Sequence, residues 1–236
     1  MKNKVILFDL DGTLLPMNQD LFVKYYFGAL AKKLAPYGYE PEKLVGAIMK
    51  GIEAMVKNNG LTTNEEVFWN KFEDVYKKDA RKDEVMFSDF YINEFVAAKS
   101  ACDFNEKAQE VINILKGKGY RLILATNPIF PAIATKQRIK WAGLNEDDFE
   151  LVTTYENSSF CKPNLKYYLE ICSKINVNPS DCVMVGNDVN EDMIAEELGM
   201  KVFLLKDCLL NKNNKDINSY PNGSFDELIE FINKEL

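Results

Sequence analysis

Five short apolar runs stand out along the chain: Val5–Phe8, Arg121–Ala125, Leu151–Thr153, Cys182–Val185 and Lys201–Leu205. None alternates apolar with polar residues, which is the pattern of strands covered on both faces in a parallel sheet. Segments with helical periodicity lie between most of them: Asn105–Lys118, Ile129–Ala142, Asn164–Ile175 and Asn190–Leu198. Gly119, Gly143 and Gly199 follow three of these segments, where a helix C-terminus favours glycine. Strand alternating with helix predicts an α/β fold with a doubly wound parallel sheet.

Residues 17–97 break that rhythm. They contain no strand-like run but four helical patterns: Asp20–Ala35, Pro41–Lys57, Asn64–Lys78 and Glu84–Lys99. Leu44, Ile48, Ile52 and Met55 form one face of the second. Thr63 with Glu66 three residues on reads as a capping box for the third. The expectation is an all-helical cap domain over 17–97, inserted after the first strand of a core made of 1–16 and 98–236. The Asn/Lys-rich stretch Leu210–Pro221 reads as loop, before a last helix at Phe225–Lys234.

Composition narrows the chemistry. The 236 residues carry a net charge of −7 and no strongly basic stretch, which argues against nucleic acid as a partner. Five cysteines without a C-x-x-C pair read as reduced thiols in a cytoplasmic protein. The N-terminal apolar run is too short for a signal peptide, and no segment is long enough to span a membrane. The sequence carries no signal of oligomeric state. There is no histidine, so Ser-His-Asp and Cys-His catalysis and histidine-ligated zinc are excluded. Walker-type and G-x-G-x-x-G nucleotide motifs are absent. Carboxylates, lysines and hydroxyls remain.

Those residues collect at strand ends. Asp9 and Asp11 follow the first run, Thr126 and Asn127 the second, and Asp188 and Asp192 follow "CVMVGN". Lys162 sits in "CKPN", ahead of the Asn164 helix. In an open parallel sheet, such positions line the ligand crevice at the switch point. Four aspartates brought together repel one another, and a divalent cation resolves the conflict. Mg²⁺, with its preference for carboxylates, waters and substrate phosphate, suits the set. Lys162 would offset the remaining charge and meet a phosphate, while Thr126 and the Asn127 backbone N–H could hold phosphate oxygens. Asp188 and Asp192 also suit a helix N-terminus, where negative charge meets the macrodipole.

"DLDGT", "LATN", "CKPN" and "GNDVNED", in that order, resemble the four motifs of the haloacid dehalogenase-like hydrolase superfamily, in its phosphatase branch with a helical cap. The resemblance runs over nearly the whole chain and implies a Rossmann-like core. It implies that Asp9 is the nucleophile that becomes an aspartyl-phosphate. Asp11 would protonate the leaving oxygen and then activate water. Mg²⁺ would bind the Asp9 side chain, the Asp11 carbonyl and Asp188, with Asp192 orienting ligands or water. Asn187 and Glu191 are candidates for support. The implied reaction is Mg²⁺-dependent hydrolysis of a small phosphorylated metabolite, under a cap that excludes bulky partners.

The alternatives share the scaffold. A metal-independent 2-haloacid dehalogenase would also use Asp9, but dehalogenases resembling this core usually lack an acid at the Asp11 position. A phosphonatase would need a Schiff-base lysine from the cap, such as Lys24 or Lys50. A phosphosugar mutase would have to shield its phospho-aspartate from water. A non-catalytic phospho-acceptor or scaffold has no use for the Asp11 acid. The aromatics of 17–97 are mostly spaced for helix packing; Phe22, Tyr26 and Trp69 are the candidates for facing the substrate.

Overall fold

A computed structural model describes residues 4–235. Six parallel strands form one sheet in the order β3-β2-β1-β4-β5-β6. They are β1 Val5–Phe8, β2 Arg121–Leu124, β3 Leu151–Val152, β4 Cys182–Gly186, β5 Lys201–Leu205 and β6 Asn222–Gly223. All five expected strands are present. β6 falls between the expected loop, Leu210–Pro221, and the last helix, where no element was expected; its ladder is carried by Leu204 N to Pro221 O and Lys206 N to Gly223 O, 2.9 and 3.1 Å, so backbone pairing makes a strand without an apolar signature.

The chain leaves β1, builds β2 and β3 on one side, then returns to β4 on the other side of β1. This reversal makes the crevice at the carboxyl ends of β1 and β4 the topological switch point. Alternate residues of each strand point into different cores, as the pleat requires. Ile6, Phe8, Leu124 and Val185 pack on one face with Ile112 and Leu228. Val5, Leu7, Ile123 and Met184 pack on the other with Tyr168 and Ile171. Burial on both faces is why the runs do not alternate.

The helices are α1 Gln19–Leu34, α2 Pro41–Val56, α3 Asn64–Tyr76, α4 Glu84–Asn93, α5 Glu106–Gly117, α6 Ala132–Trp141, α7 Leu165–Ile175 and α8 Phe225–Glu235. Helices α1 to α4 lie between β1 and β2, so a helical region is inserted into the α/β fold directly after its first strand. Their aromatic core, with Phe22, Phe72 and Phe90, is continuous with the sheet face that carries Phe8 and Val185. Asn64, fully buried at the start of α3, ties the region to the loops beside the switch point. Its Nδ2 lies 3.3 Å from Pro128 O and 3.4 Å from Phe160 O.

Three expected helices differ. Residues 129–131 stay outside α6, because Pro131 is its N-cap and holds Phe130 away from helical geometry. The Glu84–Lys99 pattern divides into α4 and a 3₁₀ segment, Phe95–Ala101. Asn190–Leu198 is a turn followed by a 3₁₀ segment, Met193–Leu198. There the Asp188 and Asp192 side chains take the first N–H groups and pull the turn tight. Thr63 caps α3, accepting from Glu66 N at 3.3 Å, which is the Thr63 half of the expected capping box. Among the described residues, no helix is long and apolar enough to cross a membrane.

Candidate active site

Asp9 continues β1 by one residue, its N–H bonded to Val185 O at 2.9 Å. The chain then turns within a few residues. Gly12 N and Leu15 N donate to Leu15 O and Leu10 O, both at 2.8 Å, and Thr13 N donates to Leu10 O at 3.1 Å. None of these three bonds uses the Asp11 carbonyl. Gly12 takes φ +87°, and a methyl group there would overlap the Asn187 amide. That amide is fixed, donating to Cys208 O at 2.7 Å and lying 2.9 Å from the Thr13 hydroxyl. Gly12→Ala is therefore expected to lower stability by about 1–3 kcal/mol through backbone strain and displacement of Asn187. Chemical denaturation checks this, and an unchanged midpoint would contradict it.

The neighbouring strand ends bring the rest. Ala125 N donates to Phe8 O at 2.7 Å, which sets Thr126 and Asn127 beside Asp9. The Thr126 carbonyl is clamped by the Thr153 and Tyr167 hydroxyls at 2.7 and 2.8 Å. Asn127 Nδ2 donates to Glu191 Oε2 at 3.1 Å. Beyond β4, Asp188 Oδ1 accepts from Asn190 N and Glu191 N, 2.7 and 3.0 Å, and Asp192 Oδ2 accepts from Asp188 N at 3.0 Å.

Lys162 joins these pieces. It enters ahead of α7, whose cap Asn164 accepts from Lys166 N at 3.0 Å. Its Nζ donates to Asp9 Oδ1 at 2.8 Å and to Asp192 Oδ1 at 2.6 Å. The side chain is 1% exposed. Burial works against this ammonium, but Asp192 and Asp9 outweigh it and hold its pKa well above the ordinary lysine value. The Thr13 hydroxyl lies 3.2 Å from Asp9 Oδ2, so both Asp9 oxygens have neighbours that fix the carboxylate plane.

Asp11 sits in a different environment. Its carboxylate is bonded to the guanidinium of Arg138, on α6. Arg138 is 1% exposed, stacks 4.4 Å from the Phe130 ring centroid, and donates to Thr135 Oγ1 at 3.2 Å. Burial raises the Asp11 pKa above the usual carboxylate range, while Arg138 pulls it down. Arg138 and Thr13 were not singled out in the sequence. The only trace of Arg138 is its spacing, which puts it on the α6 face of buried Ala134 and Thr135. Thr13 is the last residue of "DLDGT".

Asp9, Asp11, Thr126, Asn127, Asp188 and Asp192 line one cleft of ≈ 360 Å³. Phe22 and Tyr26, on α1, line it too. Trp69 does not: it is buried edge-on between Phe72 and Phe87 and borders a separate, smaller apolar cavity. Lys24 and Lys50 are exposed and do not line the cleft.

The donor chemistry fits a hard divalent cation. Five acids, Asp9, Asp11, Asp188, Glu191 and Asp192, line the cleft. The two buried cations beside them are already engaged, Lys162 with Asp9 and Asp192, and Arg138 with Asp11. Among the described residues, no three acidic or sulfur side chains converge as a ready-made metal cluster. A Mg²⁺ site needs fewer, since it commonly takes one or two carboxylates and completes its shell with water and phosphate.

Fold and site together define a doubly wound α/β protein with an acidic cleft at its switch point, backed by the buried Lys162. Residues 3–197 match the family model described as haloacid dehalogenase-like hydrolase, and the chain belongs to that family. Among curated proteins, it is similar to a glyceraldehyde 3-phosphate phosphatase of Methanothermobacter thermautotrophicus, 32% identical over 44% of this chain and 48% of that protein. It also resembles a phosphoglycolate phosphatase of Nitrosospira multiformis, 25% identical over 85% of this chain and 82% of the relative. The matches to the first two curated relatives thus span under half of each, 48% and 41%. Among solved structures, a 2-haloacid dehalogenase from Pseudomonas syringae superposes with a TM-score of 0.66, at 18% identity and 99% coverage of both chains. At that identity the likeness concerns the fold.

Proposed function

We propose that the chain is a Mg²⁺-dependent phosphomonoesterase acting on a small phosphorylated metabolite, with Asp9 as nucleophile. The observation that carries this reading is the contrast between two carboxylates at one strand end. Asp9 accepts from a buried ammonium, whereas Asp11 is partly desolvated and held by Arg138. Such divergent environments suit one group to attack and the other to carry a proton.

In this mechanism, an Asp9 oxygen attacks phosphorus as the ester P–O bond breaks, and Asp11 gives its proton to the departing alkoxide. Water then attacks the aspartyl-phosphate and loses a proton to Asp11. The Asp9–phosphorus bond breaks, releasing phosphate and restoring the carboxylate. Thr126, the Asn127 N–H and Lys162 hold phosphate oxygens, and Asp192 keeps Lys162 in place. Mg²⁺, held by the Asp9 carboxylate, the Asp11 carbonyl and Asp188, would supply charge balance for the phosphoryl group. Residues 17–97 act as the cap over a catalytic unit of 1–16 and 98–236.

The curated relatives' names support phosphate esters as substrates. The dehalogenase reading has a fold neighbour but no use for Asp11. Phosphate release from p-nitrophenyl phosphate with Mg²⁺ is expected to fall roughly 100-fold or more in EDTA. Chelator-resistant turnover, with halide released from 2-chloropropionate, would favour the dehalogenase instead.

A further inference from the structure

Resting on the phosphomonoesterase reading, we propose that the substrate's alcohol portion is an uncharged, apolar chain or ring rather than a small carboxylate. The cleft is two-sided in its chemistry. The strand ends supply nearly all of its polar groups, while α1 and α2 face them with Phe22, Val23, Tyr26, Phe27, Met49 and Ile52. Ile129 and Phe130 extend that wall. A phosphate anchored at Asp9 leaves its alcohol to this apolar side.

Two of these residues are not accounted for by core packing. Val23 is 48% exposed and Met49 51% exposed, and both border the cleft on helices of the inserted region. The polar end of Tyr26 is used internally, its hydroxyl 3.0 Å from that of Tyr91, so the ring is what it offers a ligand. A bound apolar group would cover this surface and gain from its removal from water.

The charges point the same way. Among the described residues lining the cleft, Lys212 is the one cation, and it is exposed in the loop after β5. The buried Lys162 and Arg138 are paired with Asp9, Asp192 and Asp11. A substrate carrying its own carboxylate would set it against an apolar wall and near Asp11 and Glu191, with no buried cation to receive it. The cleft therefore differs in its demands from what the relative's name, phosphoglycolate phosphatase, would require.

The test measures kcat/KM of the full chain with Mg²⁺ for methyl, ethyl, butyl and hexyl phosphate and for 2-phosphoglycolate. Each added methylene is expected to raise kcat/KM about two- to fourfold until the wall is covered. Ethyl phosphate should exceed 2-phosphoglycolate by about tenfold or more, since the carboxylate finds no partner. Phe22→Ser should flatten the methylene series, and Met49→Arg should raise 2-phosphoglycolate relative to ethyl phosphate. A flat or falling series, or preference for 2-phosphoglycolate, overturns this proposal and leaves the phosphomonoesterase reading standing. If no ester yields phosphate in an Asp9-dependent way, that reading fails and the proposal falls with it.

Discussion

Asp9→Asn is expected to lower kcat for phosphate release by roughly 10⁴-fold or more, the scale seen when a covalent nucleophile is removed. An amide cannot form the acyl-phosphate, and the groups hydrogen-bonded around it cannot substitute. Thr13 and Asn187 are neutral, Lys162 is held as an ammonium, and Asp192 is bonded behind Lys162. The fold should survive, because asparagine has nearly the same shape and Lys162 keeps its 2.6 Å bond to Asp192. Steady-state kinetics with circular dichroism separates the two effects. A variant retaining a tenth of the wild-type rate, with mass spectrometry excluding deamidation, would place the nucleophile elsewhere.

Arg138→Met is expected to destabilise the protein by roughly 2–4 kcal/mol. Removing one partner of a buried ion pair leaves the other charge without compensation, a loss of about 3–5 kcal/mol when both are deeply buried. Arg138 is 1% exposed but the Asp11 side chain is 24% exposed, so solvent returns part of the loss. The Phe130 contact and the bond to Thr135 go with it. A double-mutant cycle gives the more specific result. In Asp11→Asn the stranded carboxylate is gone, so adding Arg138→Met should cost less than it does in the wild type. Urea denaturation of the four proteins measures this, and strictly additive changes would show that the pair contributes nothing of its own.

The sheet was legible because its strands are buried on both faces, which writes Val5–Phe8 and Lys201–Leu205 as continuous apolar runs. β6 left no such mark, since Asn222–Gly223 pairs through backbone alone at the edge of the sheet. The turn at 188–192 looked helical because periodicity records which residues are buried, not which side chains capture the first N–H groups. The positions of the aspartates followed from strand ends, a local property. Lys162 was expected to offset their charge, but neither its burial nor the environment of Arg138 followed. A lysine or arginine in a linear sequence reads as solvent-exposed, and burial comes from partners far along the chain. Lys162 meets Asp9 across 153 residues, and Arg138 meets Asp11 across 127. Trp69 shows the converse: its type suggested ligand contact, but helix packing claims it for the aromatic core.

The central claim is that Asp9 carries the phosphoryl group. It is tested most directly by acid-quenching the enzyme during turnover and treating it with borohydride, which reduces an acyl-phosphate to an alcohol. Peptide mass spectrometry then reads residue 9. The account predicts homoserine at position 9, formed only with both Mg²⁺ and substrate present, and absent in Asp9→Asn. Rapid phosphate release with residue 9 still recovered as aspartate, or the corresponding alcohol formed at another acidic position, would contradict it.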